Sequence, residues 1–152
     1  MIKDAGSSIH ATAVVLGEQA VLITGASGTG KSRLARRLIA LVRERGGHAA
    51  LIGDDRIHLT CADGRLVARG HSAIRGLLEV RGVGILPMPH ALAGVVTLVV
   101  QLDPDAAPRL PEPDAHRHLA GLRLPLLRLA ASSSSEDNAR LVLAHPATTA
   151  KP

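Results

Sequence analysis

Eight consecutive residues, Gly25-Ala26-Ser27-Gly28-Thr29-Gly30-Lys31-Ser32, satisfy G-x-x-x-x-G-K-[ST] at every fixed position. Glycines let a backbone turn back on itself so that successive N–H groups point inward at phosphate oxygens. A helix starting near Lys31 adds the partial positive charge of its N-terminus. In such a loop Lys31 reaches the β- and γ-phosphates and the Ser32 hydroxyl ligates Mg²⁺. A dinucleotide fingerprint fails here, because its third glycine would fall at position 33, which is Arg33. A second pair, Asp54-Asp55, stands 23 residues beyond Lys31 at the end of an apolar run. Two adjacent acids there can divide the work of phosphoryl transfer, one in the metal shell and one accepting a hydroxyl proton.

Elements must hold these residues. Residues 11–16 and 20–24 read as two short strands rich in Val, Ile and Leu, joined at Gly17-Glu18 and leading directly into the loop. From Lys31 to about Arg45, Leu34, Leu38, Leu41 and Val42 recur at helical spacing, with Arg33, Arg36, Arg37 and Arg43 on a solvated face. Gly46-Gly47 stops that helix, and residues 48–53 form a strand ending at the acid pair. Residues 57–61 and 65–68 form a hairpin around Ala62-Asp63-Gly64, with Cys61 as a small buried hydrophobe. Residues 72–80 read as a helix with Ile74, Leu77 and Leu78 on one face. Residues 94–102 are a central Val-rich strand, 103–114 an irregular Pro-rich loop, and 119–129 a further strand. Ser133 and Glu136 stand at capping-box spacing for a last helix.

Composition narrows the class. The chain has 152 residues, close to one domain, and residues 1–152 read as one α/β unit without repeat or linker. Phe, Trp and Tyr are absent, so the core is aliphatic and no aromatic platform exists for stacking bases. The net charge is +5, but the 15 arginines are scattered rather than clustered, which argues against nucleic-acid binding. Cys61 is alone, which excludes an internal disulfide. Asp4 and Glu18 bracket the only early apolar run, and the longest one, residues 91–102, is too short to span a bilayer. A cytoplasmic protein without membrane or nucleic-acid partners is the expectation.

Residues 74–85, Ile74-Arg75-Gly76-Leu77-Leu78-Glu79-Val80-Arg81-Gly82-Val83-Gly84-Ile85, closely resemble the signature segment of the HPr kinase/phosphorylase family. Ile9-His10, the glycine loop with Ser27, and Asp54-Asp55 fall in that family's order, so the resemblance spans about residues 9–102. It implies a single P-loop domain related to the phosphoenolpyruvate carboxykinase-like kinase core, with a mixed β-sheet and flanking helices. It also implies an ATP- and Mg²⁺-dependent kinase that phosphorylates a serine of HPr, the phosphocarrier of the bacterial phosphotransferase system, or of a nitrogen-system homologue. By resemblance Asp54 is the catalytic acid/base, His10 sits near it, Lys31 serves the phosphates, and Ser32, Glu79 and Asp55 serve the metal. Members are commonly hexameric, which implies a homo-oligomer.

The chain departs from the family in three ways. It looks like the catalytic domain alone, similar to short alphaproteobacterial forms without an N-terminal domain. Arg33 stands where the family usually has an acid, and the C-terminal R-P-G-R-N motif is not visible. The last departure leaves Arg109 or Arg128 as substitute cations and predicts a kinase without efficient phosphorylase activity. Two other readings stay open: a small-molecule P-loop kinase, and a nucleotide-binding regulatory module without catalysis.

Overall fold

The computed structural model describes residues 7–71, 76–80, 82–104 and 114–149. Along the chain run β1 (Ser7–Ile9), β2 (Thr12–Leu16), β3 (Gln19–Thr24), α1 (Lys31–Glu44), β4 (Ala49–Gly53), β5 (Ile57–Ala62) and β6 (Arg65–Gly70). Then come β7 (Leu77–Val80), β8 (Gly84–Pro87), β9 (Ala93–Asp103), β10 (His116–Leu119), β11 (Leu122–Ala130), α2 (Ser135–Ala144) and α3 (Pro146–Thr149).

The main sheet is mixed, in the order β1-β5-β6-β9-β3-β2-β4. Its branch point is β9, eleven residues long. One edge of β9 pairs parallel with β3. The other edge pairs antiparallel with β6 through residues 93–95 and parallel with β11 through residues 99–103. The sheet curls until β4 meets β6, and Gly70 is what allows this, because a Cβ there would overlap the Ile52 carbonyl oxygen. Both faces are buried, which explains why β2, β3 and β9 read as nearly continuous apolar runs. Val14, Val21, Ile23, Leu98 and Val100 pack against Leu34 and Leu38 of α1 and Val142 of α2. On the other face Leu22, Val96 and Val99 meet Ile57, Leu59 and Leu66 of the curled β5–β6 arm and Leu124 of β11.

Several sequence expectations change. Residues 77–80 are a strand, not the end of a helix: β7 pairs antiparallel with β8, with Leu78 buried while Leu77 and Glu79 point outward. Gly76 at φ +75° breaks helical continuation there. The strand expected over 119–129 is present as β11 from Leu122, and its first residues instead belong to a hairpin with β10, turned at Ala120-Gly121, both with positive φ. The α2 cap shifts by one residue, since Ser134 Oγ accepts the Asp137 N–H at 3.1 Å. Cys61 is exposed, near the free end of the β5–β6 hairpin. Arg37 is not simply solvated, because it pairs with Glu136 and ties α1 to α2. The features expected at Asp4, Ser72, Ile74, Arg75, Arg81 and Arg109, and most of the 103–114 loop, lie outside the described residues.

Candidate functional site

The site grows from the end of β3, where residues 25–30 lead into α1. Gly25 is forced by packing, since a Cβ would lie 2.8 Å from Thr29 Oγ1 and 2.9 Å from the Leu102 carbonyl oxygen. Thr29 closes the turn, its backbone N–H and its hydroxyl both donating to the Ala26 carbonyl at 3.2 and 2.8 Å. Gly30 caps α1 in the left-handed region at φ +96°, with no side chain bonded to the helix start. The first turn itself holds no acid and carries Lys31 and Arg33, so no side chain of the helix start neutralises its N–H groups.

Lys31 is buried, 7% exposed, and its ammonium donates to the Gly25 and Ala26 carbonyls at 2.8 and 3.1 Å. Burial pushes its pKa down, while the charges of Asp54 and Asp55 pull it back up. Asp54 sits just past the tip of β4 and is 8% exposed. Its carboxylate accepts the Ser32 hydroxyl at 2.9 and 3.0 Å and the Thr12 hydroxyl at 2.6 Å. Strand order produces this meeting, because β2 lies between β3 and β4 and brings Thr12 alongside. Asp55 turns the other way, at φ +74°, and its carboxylate meets His10 Nδ1 at 2.9 Å. His10 also bonds the Asp55 carbonyl at 3.1 Å, so the histidine is joined to Asp55 rather than to Asp54.

The structure therefore brings Lys31, Ser32 and Asp54 together and sets His10 and Asp55 beside them at the rim. Glu79 lies on the exposed face of β7, and no bond among the described residues ties it to Ser32. Arg128 pairs with Asp103 at 3.8 Å. Two contributors escaped the sequence reading. Thr12 is fully buried behind Asp54. Arg117 reaches from β10 to Thr24 Oγ1 at 3.3 Å, placing a cation at the foot of the loop. Neither carries a motif, since each acts through a side-chain contact with a residue distant in sequence. Among the described residues no cluster of three His, Cys, Asp or Glu side chains is arranged to hold a metal by itself.

Fold and site together define a mixed α/β domain built around one glycine loop and one buried carboxylate. Residues 4–129 match the family model described as the HPr Serine kinase C-terminal domain, and the chain belongs to that family. It is 38% identical over 90 residues to an HPr kinase/phosphorylase of Clostridium beijerinckii, covering 58% of this chain and 28% of that protein. With the HPr kinase/phosphorylase of Treponema pallidum it shares 37% over 106 residues, 63% of this chain and 31% of the other. The chain thus spans about a third or less of these curated relatives. The solved Hpr(Ser) kinase/phosphatase of Coxiella burnetii superposes with a TM-score of 0.73 at 25% identity, over 90% of this chain and 93% of that one.

Proposed function

We propose that this domain is an ATP-dependent protein serine kinase acting on HPr or a nitrogen-system homologue of it. The observation that carries the reading is the Lys31–Ser32–Asp54 cluster. A buried ammonium that donates, among the described residues, to carbonyls alone lies next to a buried carboxylate already accepting two hydroxyls. An incoming polyphosphate supplies an anion for Lys31 to bond directly, with the N–H groups at the start of α1 beneath it. The substrate serine then donates its proton to Asp54 as its oxygen attacks the γ-phosphorus. The bond from that phosphorus to the β,γ-bridging oxygen breaks, and ADP leaves with the electron pair. Arg117 adds positive charge at the foot of the loop.

A hydroxyl and a carboxylate within 3.0 Å form an all-oxygen donor set that fits Mg²⁺. Ser32 and Asp54 would hold the ion, which when bound would neutralise phosphate charge; Asp55 and Glu79, the acids that the family resemblance adds, face solvent here. His10 orients Asp55 through the 2.9 Å contact between its Nδ1 and the carboxylate. The reading carries with it a cytoplasmic location and a homo-oligomer, hexameric by family resemblance.

The test is phosphate transfer from γ-labelled ATP to purified HPr-type proteins, with phosphoserine analysis of the product. Lys31→Ala loses nucleotide affinity and turnover together. Asp54→Asn keeps affinity and loses about 10²–10⁴-fold in turnover. Near-normal kcat in Asp54→Asn overturns the base assignment, and ATP binding without transfer by the unmodified protein overturns the kinase. The reverse reaction, in which inorganic phosphate strips phosphoserine to give pyrophosphate, is expected to be slow because the R-P-G-R-N segment is absent. Equal forward and reverse rates at millimolar phosphate contradict that expectation.

A further inference from the structure

The loop accounts for a triphosphate but not for the rest of a nucleotide, which must leave it on one side. Strand order distinguishes the two sides. Asp54 lies toward β2 and β4, whereas β9 and β11 flank the loop on the other. On that second side, between α1 and the start of α2, opens a cleft of about 240 Å³. Thr29 and Gly30 of the loop form one wall, Leu102, Ala131 and the serine run 132–135 the other, and Arg33 and Asn138 complete it. Its volume falls below the roughly 300–1,000 Å³ of pockets for drug-sized ligands, a scale suited to one base with its sugar at the mouth.

The chemistry of the walls fits a purine. With no Phe, Trp or Tyr in the chain, a base can be covered only by aliphatic groups or by a guanidinium plane. Leu102 and Ala131 supply the first. Arg33 supplies the second: it is exposed and has no acidic partner among the described residues. Asn138 supplies the polar group, being 4% exposed while lining the cleft. Its Nδ2 donates to the Ala130 carbonyl at 3.0 Å, which leaves Oδ1, on the opposite arm of the amide, as an acceptor with no partner among the described residues. An exocyclic amine satisfies that acceptor, and an exocyclic carbonyl opposes it.

We propose that this cleft is the nucleoside subsite, with Arg33 covering the base and Asn138 Oδ1 accepting from the amine of an adenine-type ring. The proposal rests on the reading that residues 25–32 hold the triphosphate, and it assigns a use to the arginine that replaces the family's acid. The nucleotide then lies across the loop with its terminal phosphate toward Asp54 and its base toward α2.

The test compares binding of Mg-ATP, Mg-GTP and Mg-tripolyphosphate to the full chain by calorimetry. Two variants at exposed positions, Arg33→Ala and Ser133→Phe, remove the cover and fill the cleft without disturbing the core. Each is expected to weaken ATP about tenfold while leaving tripolyphosphate within about twofold, and the unmodified chain prefers ATP to GTP. If both variants leave ATP binding unchanged, or weaken ATP and tripolyphosphate alike, the subsite is wrong while the phosphate loop stands. Equal affinity for ATP and GTP removes the role of Asn138. Failure of the unmodified chain to bind either ATP or tripolyphosphate overturns the loop reading and the subsite with it.

Discussion

Asp54 and Asp55 are neighbours in the chain with opposite environments, and that contrast separates their roles. Asp54 faces inward and is held by two hydroxyls, while Asp55 adopts a left-handed backbone and turns out toward His10. The left-handed backbone at Asp55 accounts for the split, since it turns this side chain out of the site just past the end of β4. The carboxylate tolerates burial because Ser32 and Thr12 both donate to it. Thr12→Val keeps the shape and removes one donor. It is expected to lower stability by about 1–3 kcal/mol, read as a shift of the urea midpoint without a change in slope. Thr12→Ser restores the donor and most of the loss, which a purely steric role for Thr12 does not predict.

At the scale of elements, the portion legible in the sequence is the portion whose signals are local. β2, β3, the glycine loop, α1 and β4 follow from short apolar runs and a period-3.6 stripe bounded by glycine, and they position Lys31, Ser32 and Asp54. The β7–β8 hairpin was obscured because Leu77-Leu78 fits a helical stripe as well as a strand buried on one side. β10 was obscured because His116-Arg117-His118 is polar throughout, and its pairing with β11 is what positions Arg117. The α2–α3 corner was equally hidden, and it makes its own prediction. His145 Nδ1 accepts the Ala147 N–H at 3.0 Å, and burial pushes the imidazole pKa below its ordinary value of about 6.5. The folded chain keeps His145 neutral where the unfolded chain takes up a proton. Its contribution is complete above about pH 6.5 and declines as pH falls toward the depressed folded value. Thermal melts between pH 7.5 and 5 are expected to fall more steeply for the unmodified protein than for His145→Asn, and parallel curves contradict the assignment.

Across the whole molecule, the features that point to ligands share one end of the sheet, where β3, β4, β9 and β11 finish. The forked sheet sets them out in order, with Asp54 on the β4 side, the loop in the centre and the serine run on the β11 side. A nucleotide laid along that edge touches β3, β4, β9, α1 and the entry to α2 at once, so its binding stabilises the folded domain as a unit rather than one loop. At a concentration of 100 times Kd the gain is about 2.7 kcal/mol. At about 2–4 °C per kcal/mol for a domain of this size, Mg-ATP raises Tm by about 5–10 °C. The chain has no Trp or Tyr, so the melt is followed by circular dichroism or calorimetry rather than intrinsic fluorescence. Lys31→Ala abolishes the shift, because the buried ammonium is the charge the phosphates need. A full shift in that variant would mean that the nucleotide binds elsewhere on the molecule.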